Sequence, residues 1–375
     1  MLPIGYFKFH KDPFINYQLN RWYSLGYTRK EDLERIGRET RTFEDYVLGF
    51  KKLTEEAIAE NRLQNAAFYL RAAEFLISPK DPQKIPTYDR FIELFDKAFA
   101  GESFERHKVA CQGSNLSVLR FPSKGTGAKK GTILAFGGFD SFIEEFYCMW
   151  DYFSQNGYEV LAFEGPGQGG TLRTFGLPFD HDWEKPTAAV LDHFQIGEAT
   201  LWGVSMGGYW AVRAGAFEKR IKRIIAMPPV YDWLELTNGF NKKLVNVLMK
   251  FPRIMNFFIR LKMNVGVLKH TINQALFITK KEQPIDAVKW MLGMNKIHIH
   301  SELIDQDVFL LTGERDAFQP PKLLYKQKAA LINAKSVTTR IFTKEEHADQ
   351  HCQMGNVGLL LEVIRDWMDG KNSRL

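Results

Sequence analysis

From Phe104 onward the chain carries short, nearly continuous apolar runs: Thr132–Phe136, Glu159–Phe163, Thr200–Trp202, Ile221–Met227, Val308–Thr312 and Ser336–Phe342. Stretches with helical spacing of apolar residues lie between most of them. Strands covered on both faces have this pattern, and their alternation with helices predicts βαβ units and a mostly parallel sheet. Ahead of them, Lys108–Cys111 and Leu116–Phe121 predict a β-hairpin. In sheets of this kind, ligand sites lie at the carboxyl ends of the strands.

The N-terminal part has a different period. Thr28 followed by Glu31, Asp32 and Glu34 is a helix start. Phe43 to Ala57 and Ala66 to Ile77 repeat apolar residues at helical spacing, Pro79, Pro82 and Pro86 interrupt, and a further helix is expected from Thr87 to Ala98. Between Tyr231 and His300 the strand alternation lapses, and helical periodicity returns without a strand. The chain therefore divides into an N-terminal helical domain (1–103), a first part of an α/β core (104–230), a helical insertion (231–303) and a second part of the core (304–375).

Composition narrows the classes. The length of 375 residues fits a core domain with additions, and 45% hydrophobic residues exclude wholesale disorder. Fifty Lys and Arg against 44 Asp and Glu leave a net charge of +6, modest for this length, which does not by itself suggest a nucleic-acid binder. Cys111, Cys148 and Cys352 are far apart and have neither disulfide-framework nor metal-site spacing, so reduced, buried thiols of a cytoplasmic protein are expected. Residues 1–20 lack the apolar core of a targeting segment, so Asn115-Leu116-Ser117 is a chance match to the glycosylation pattern. The longest apolar stretch, Leu244 to Leu261, is broken by Lys250, Pro252, Arg253 and Arg260 and cannot span a bilayer.

One motif carries chemistry. Gly203-Val204-Ser205-Met206-Gly207 fits G-x-S-x-G, with the Thr200–Trp202 strand before it and a helical Gly208–Phe217 segment after it. In that setting the serine sits on a sharp strand-to-helix turn, and flanking glycines remove side chains that would clash there. A serine hydroxyl is a weak nucleophile and needs a base oriented by an acid. In the chain order that accompanies such elbows, the acid follows the serine and the histidine comes last. Asp316 lies well into the loop that ends the Val308–Thr312 strand, with Glu314 as the alternative acid. His347 and His351 both follow the last strand, and spacing alone does not choose between them. Gly137-Gly138-Phe139-Asp140, after the Thr132–Phe136 strand, fits the second half of an oxyanion hole, with the Phe139 backbone N–H paired with that of Met206. Gly165-Pro166-Gly167-Gln168-Gly169-Gly170 formally matches a dinucleotide fingerprint, but Pro166 sits inside it and no helix is expected from Thr171 to Asp180. Asp232 could add a polar group to the pocket, although a helix N-cap ahead of Trp233–Leu236 is the commoner role for such a residue.

Taken together, these residues resemble α/β-hydrolases that carry an N-terminal helical domain, the branch of 2,6-dihydroxypseudooxynicotine hydrolase and of fungal polyketide-shortening hydrolases. The matching stretches are Phe136 to Ser141 with Glu144-Glu145, Phe163 to Gly169, Asp182-Trp183-Glu184, Gly203 to Gly208, and His351-Cys352-Gln353. The resemblance implies Ser205 as nucleophile, Asp316 as acid and His351 as base. It also implies that the insertion caps the pocket and that neither a metal nor an organic cofactor is needed. The family usually has Gly at the position of His347. The expected activity is cleavage of a carbonyl-centred bond, foremost the C–C bond of an activated, polyketide-like or aryl ketone. The alternatives are an esterase, thioesterase or aminoacyl-peptidase-like acyl hydrolase and, in another class, a non-catalytic binding protein on the same scaffold.

The insertion is the expected reader of substrate. Residues 241–300 hold eleven Lys and Arg against Glu282 and Asp286, with five Met. Met, Phe258 and Trp290 are expected to wall the pocket beside Asp140, Asp232 and His347, while the cations solvate the outer face. The expected partner is a small molecule with an apolar or aromatic part, anionic in the favoured case, with no nucleic acid and no membrane. A homodimer is among the assemblies the sequence leaves open.

Overall fold

The computed structural model describes residues 2–125, 127–236, 247, 249–262 and 266–373. Parts of the insertion read above, 237–246, 248 and 263–265, lie outside the described residues. The chain forms two compact units.

One unit contains the residues up to Ser103 together with Glu144–Cys148 and Met354–Ser373. Its helices are Pro13–Ser24, Lys30–Glu39, Phe43–Ala59, Leu63–Leu76, Lys84–Ala98 and Val357–Asn372. The Phe43 helix starts at a capping box in which Thr42 and Asp45 satisfy each other's backbone N–H groups. Aromatic rings fill the interior: Trp22, Tyr46, Phe50, Phe68, Phe91 and Phe95 are buried, and Tyr27 stacks on Phe68 at 3.6 Å.

Two features of this unit depart from the sequence reading. The Pro13–Ser24 helix was not expected. Asp12 caps it through Phe14 and Ile15, and Pro13 opens it, but its buried set includes Gln18, Asn20 and Arg21, which blur the apolar period. The final helix groups with this unit and not with the sheet. The Gly5 amide donates to the Gly355 carbonyl (2.7 Å) and the Gly355 amide to Ser24 Oγ (2.8 Å), which tie the start of that helix to the N-terminal segment. Glu145 is drawn in by charge: it pairs with Arg21 and with Arg71, whose own neighbour is Glu74, and Lys84 Nζ lies 2.9 Å from Glu74. All five are buried, so removing one partner strands a charge, at a cost of about 3–5 kcal/mol.

The other unit is an eight-stranded sheet in the order β1-β2-β4-β3-β5-β6-β7-β8. The strands are β1 (Glu105–Cys111), β2 (Ser114–Phe121), β3 (Thr132–Phe136), β4 (Glu159–Phe163), β5 (Ala199–Val204), β6 (Ile221–Met227), β7 (Asp307–Gly313) and β8 (Ser336–Phe342). β1, β2 and β4 pair antiparallel, and the rest of the sheet is parallel. β3, β4, β5 and β7 are buried at every position, which is why their sequences read as continuous apolar runs. From β3 the chain steps outward to β4 and then returns to the other side of β3 as β5. The strand order reverses there, which is where ligands sit in open sheets of this kind. The insertion contributes helices Pro252–Lys262, Gly266–Thr279 and Pro284–Gly293. Among the described residues no helix is long and apolar enough to cross a membrane.

Candidate active site

Ser205 follows β5 directly and has φ +59°. A non-glycine residue held in the left-handed region is strained, and the surrounding backbone enforces it. Its amide donates to the Met227 carbonyl at the end of β6, and the Gly207–Phe217 helix starts two residues on. The glycines on either side are required by close approach. A Cβ on Gly203 would lie 2.0 Å from the Gly207 carbonyl oxygen, and one on Gly207 would lie 2.7 Å from that of Gly137.

Ser205 Oγ is 2.9 Å from His351 Nε2, and His351 Nδ1 is 2.7 Å from Asp316 Oδ2. Asp316 is buried in the loop after β7, where its other carboxylate oxygen accepts from the amides of Phe318 (2.9 Å) and Gln319 (2.7 Å). Those bonds leave one oxygen facing the imidazole. Burial disfavours a charged His351, but the Asp316 carboxylate and then Cys352 outweigh it, and its pKa stands well above the ordinary imidazole value. Glu314 does not join this chain. It is exposed, and its carboxylate accepts from the Lys344 amide. His347 does not join it either: it is exposed, in a turn closed by its own amide on the Lys344 carbonyl.

The loop after β3 abuts the serine turn. A Cβ on Gly138 would fall 2.8 Å from Ser205 Cβ and 2.9 Å from the Met206 nitrogen. The Gly138 amide donates to Ser141 Oγ (2.9 Å). Gln168 braces the same loop, its Nε2 donating to the carbonyls of Gly137 (2.9 Å) and Gly138 (2.8 Å) while its Oε1 accepts from the Gly165 amide (2.9 Å). With the Gln319 amide oriented to donate to the Pro228 carbonyl (3.0 Å), its oxygen accepts from the Met206 N–H (3.2 Å). The Met206 amide therefore meets a substrate oxygen only by giving up or sharing that bond.

Gln168 and Gln319 escaped the sequence reading. Gln168 lies inside the glycine-rich stretch set aside as a false dinucleotide fingerprint. That stretch does open a helix, contrary to expectation, but only the five residues Gly169–Arg173. Glu164 already occupies its start, accepting from the Gly170 amide at 2.5 Å, so the turn holds a carboxylate where a pyrophosphate would sit. Nothing in the local sequence marks Gln319.

An aromatic wall stands beside the β3 loop. Trp290, buried in the insertion, stacks on Phe139 with centroids 5.4 Å apart and meets Phe179 edge-on at 5.0 Å. His181 lies against Phe179 at 4.9 Å. Burial, and then His298, push the His181 pKa down to about 4, so the ring is neutral at pH 7, and its Nδ1 has no hydrogen-bond partner among the described residues. Asp140 is half-buried in the same loop. Asp232 is buried with its carboxylate on the Leu234 amide (2.8 Å), the N-cap arrangement. Phe258 lies outside this wall: it is 50% exposed and packs edge-on against Phe257. Cys148 is half-buried, whereas Cys111 and Cys352 are buried as expected.

The sheet order and the strand–Ser205–helix turn define an α/β-hydrolase fold. The family model described as alpha/beta hydrolase fold matches residues 132–266. Hydrolase LUC6 of a Fusarium species is 31% identical over 197 residues, 46% of this chain and 46% of its own length. Hydrolase pyiE of Pyricularia grisea is 35% identical over 173 residues, 41% of this chain and 37% of its own. The chain thus spans about half or less of the length of these curated relatives. The solved 2,6-dihydroxy-pseudo-oxynicotine hydrolase superposes with a TM-score of 0.67 at 20% identity, covering 93% of this chain and 94% of that one. The chain has the α/β-hydrolase fold, N-terminal helical region included, and is similar over part of its length to these fungal hydrolases, as the sequence resemblance implied.

Proposed function

We propose that the protein is a serine hydrolase that cleaves a carbonyl-centred bond of a small molecule. The observation that supports this reading is the chain of contacts from Ser205 Oγ to His351 (2.9 Å) and from His351 to Asp316 (2.7 Å). His351 Nε2 takes the hydroxyl proton as Ser205 attacks the carbonyl, and Asp316 on Nδ1 holds the imidazole in the tautomer that leaves Nε2 free to accept. The N–H groups of Phe139 and Met206 receive the oxyanion. Collapse of the tetrahedral adduct expels the leaving group, which takes the proton from His351, and water then releases the acyl group by the same steps reversed. A fluorophosphonate probe tests the assignment. It is expected to label the native protein and to leave Ser205→Ala unlabelled, whereas equal labelling of both, or of neither, favours the non-catalytic binding scaffold.

The finer reading is the C–C bond of an activated ketone. Such a cleavage expels a carbanion, which needs conjugation of its own and a proton donor, and protonated His351 is that donor. The Phe139, Phe179 and Trp290 wall suits an aryl or conjugated substrate. An ester or thioester is the second reading and uses the same residues. Because Trp290 is buried, truncation to Ala would unsettle the fold, so Trp290→Phe is the cleaner probe. It is expected to change the kcat/KM ratio between aryl and short alkyl substrates by about tenfold with little change in Tm. An unchanged ratio takes Trp290 out of the pocket.

The pH profile follows from the pair. The base works only when neutral, and the Asp316 carboxylate favours the protonated ring. Activity is therefore expected to rise with pH through an apparent pKa above ~6.5, and Asp316→Asn is expected to move that limb to lower pH while lowering kcat. A limb at or below the ordinary imidazole value in the native protein contradicts the assignment. The stability sign is opposite: the pair stabilises the fold fully at pH values below the ordinary imidazole pKa, and that contribution fades as pH climbs through the raised one.

A further inference from the structure

The Pro252–Lys262 helix is held from one side. Ile259 packs against the core, Asn256 Nδ2 donates to Gln283 Oε1 (3.0 Å), the Ile285 amide donates to Asn256 Oδ1 (3.1 Å), and Arg260 donates to the same Gln283 oxygen (3.0 Å). The other side carries Ile254 (50% exposed), Phe257 (60%), Phe258 (50%) and Leu261 (57%), with Phe251 (53%) just before the helix. At 100° per residue these side chains form one continuous stripe. Single exposed apolar residues are ordinary, but two phenylalanines, an isoleucine and a leucine on one helix face, extended by a third phenylalanine, mark a docking surface.

Charge identifies the occupant. Lys250 and Arg253 are exposed at the start of the stripe, and Arg260 flanks it. The surrounding segment 241–300 holds eleven cations against two acids. A second copy of the chain would bring the same excess against itself. An apolar stripe carrying aromatic rings, edged by Lys and Arg, suits a surface that is anionic outside and apolar beneath. We infer that this helix seats on anionic lipid bilayers, lying in the plane of the interface with Phe251, Ile254, Phe257, Phe258 and Leu261 in the acyl boundary and the cations among the headgroups. The sequence reading had placed the apolar residues of the insertion over the pocket and set a membrane aside; the exposed face of this one helix departs from that expectation, while Trp290 lies buried against Phe139.

The experiment is sedimentation of the full chain with sucrose-loaded vesicles of phosphatidylcholine alone and of phosphatidylcholine with phosphatidylglycerol, at low and high salt. Binding is expected to the anionic vesicles only, to weaken as salt rises, and to drop about tenfold or more in the triple variant Ile254→Ser, Phe257→Ser, Leu261→Ser and in the pair Lys250→Glu, Arg253→Glu. These side chains are exposed, so an unchanged Tm is expected alongside. No binding to anionic vesicles at low salt overturns the inference. So does equal binding by both variants, or self-association in light scattering that the triple variant abolishes, which assigns the face to a second copy. The readout is binding alone, so a failed hydrolase assignment leaves it standing, and the reverse.

Discussion

Ser205→Ala is expected to lower turnover by about 10⁴-fold or more with Tm and circular dichroism unchanged. Ser205 is half-buried and its φ is +59°, so alanine keeps the backbone where it is and removes little packing. What disappears is the attacking oxygen, and with it the covalent route. Residual rate then comes only from binding and from the oxyanion donors. The informative assay is a panel of p-nitrophenyl esters, aminoacyl amides and aryl 1,3-diketones, native protein beside variant. The substrate class with the largest native rate names the bond, and the variant shows whether that rate passes through Ser205. A variant that retains native turnover on the best substrate removes the nucleophile assignment.

His351→Ala is expected to be as severe as Ser205→Ala, and His347→Ala close to native. Of these two histidines, His351 lies within hydrogen-bond reach of Ser205, at 2.9 Å, and of a buried carboxylate, at 2.7 Å. His347 is exposed and four residues earlier. Serine and base act as one unit, so the double variant Ser205→Ala/His351→Ala is expected to lose little beyond either single one. Losses that multiply would mean that the two act independently. A lethal His347→Ala would move the base to the other histidine.

The eight strands were legible because most of the sheet is covered on both faces, and burial on both faces writes itself into sequence as an unbroken apolar run. β5 shows the limit. Its run was read as Thr200–Trp202, yet the strand reaches Val204, because the tightly packed glycine of the serine turn interrupts the apolar pattern. The first helix went unread because Gln18, Asn20 and Arg21 are buried in it, and buried polar residues break the period that marks a helix. The grouping of Val357–Asn372 with the N-terminal helices was equally invisible, since its buried face (Val357, Leu360, Leu361, Ile364 and Met368) reads as apolar whichever unit covers it.

For the candidate site, residue type and chain order pointed to Ser205, to an acid after β7 and to a histidine after β8, because strand ends and turns have local signatures. Position in the loop already favoured Asp316 over Glu314 and the family resemblance favoured His351 over His347; the distances support the same pair, which spacing alone could not, since neighbours in one loop differ only in which way they face. Gln168 braces the loop after β3 from 30 residues away and Gln319 meets the serine turn from 114 residues away in the chain, and a solitary glutamine has no period to betray it. Phe258 shows the converse. Its helical spacing was plain, but a helix has two sides, and an apolar stripe does not say whether the protein or something outside it covers that stripe. By itself, then, the sequence marked the strands and most of the helices and pointed to candidate chemistry, because propensity, period and turn geometry act over a few residues. Tertiary structure alone decided which side chains meet and which way Phe257 and Phe258 face, because those depend on contacts between residues far apart in the chain.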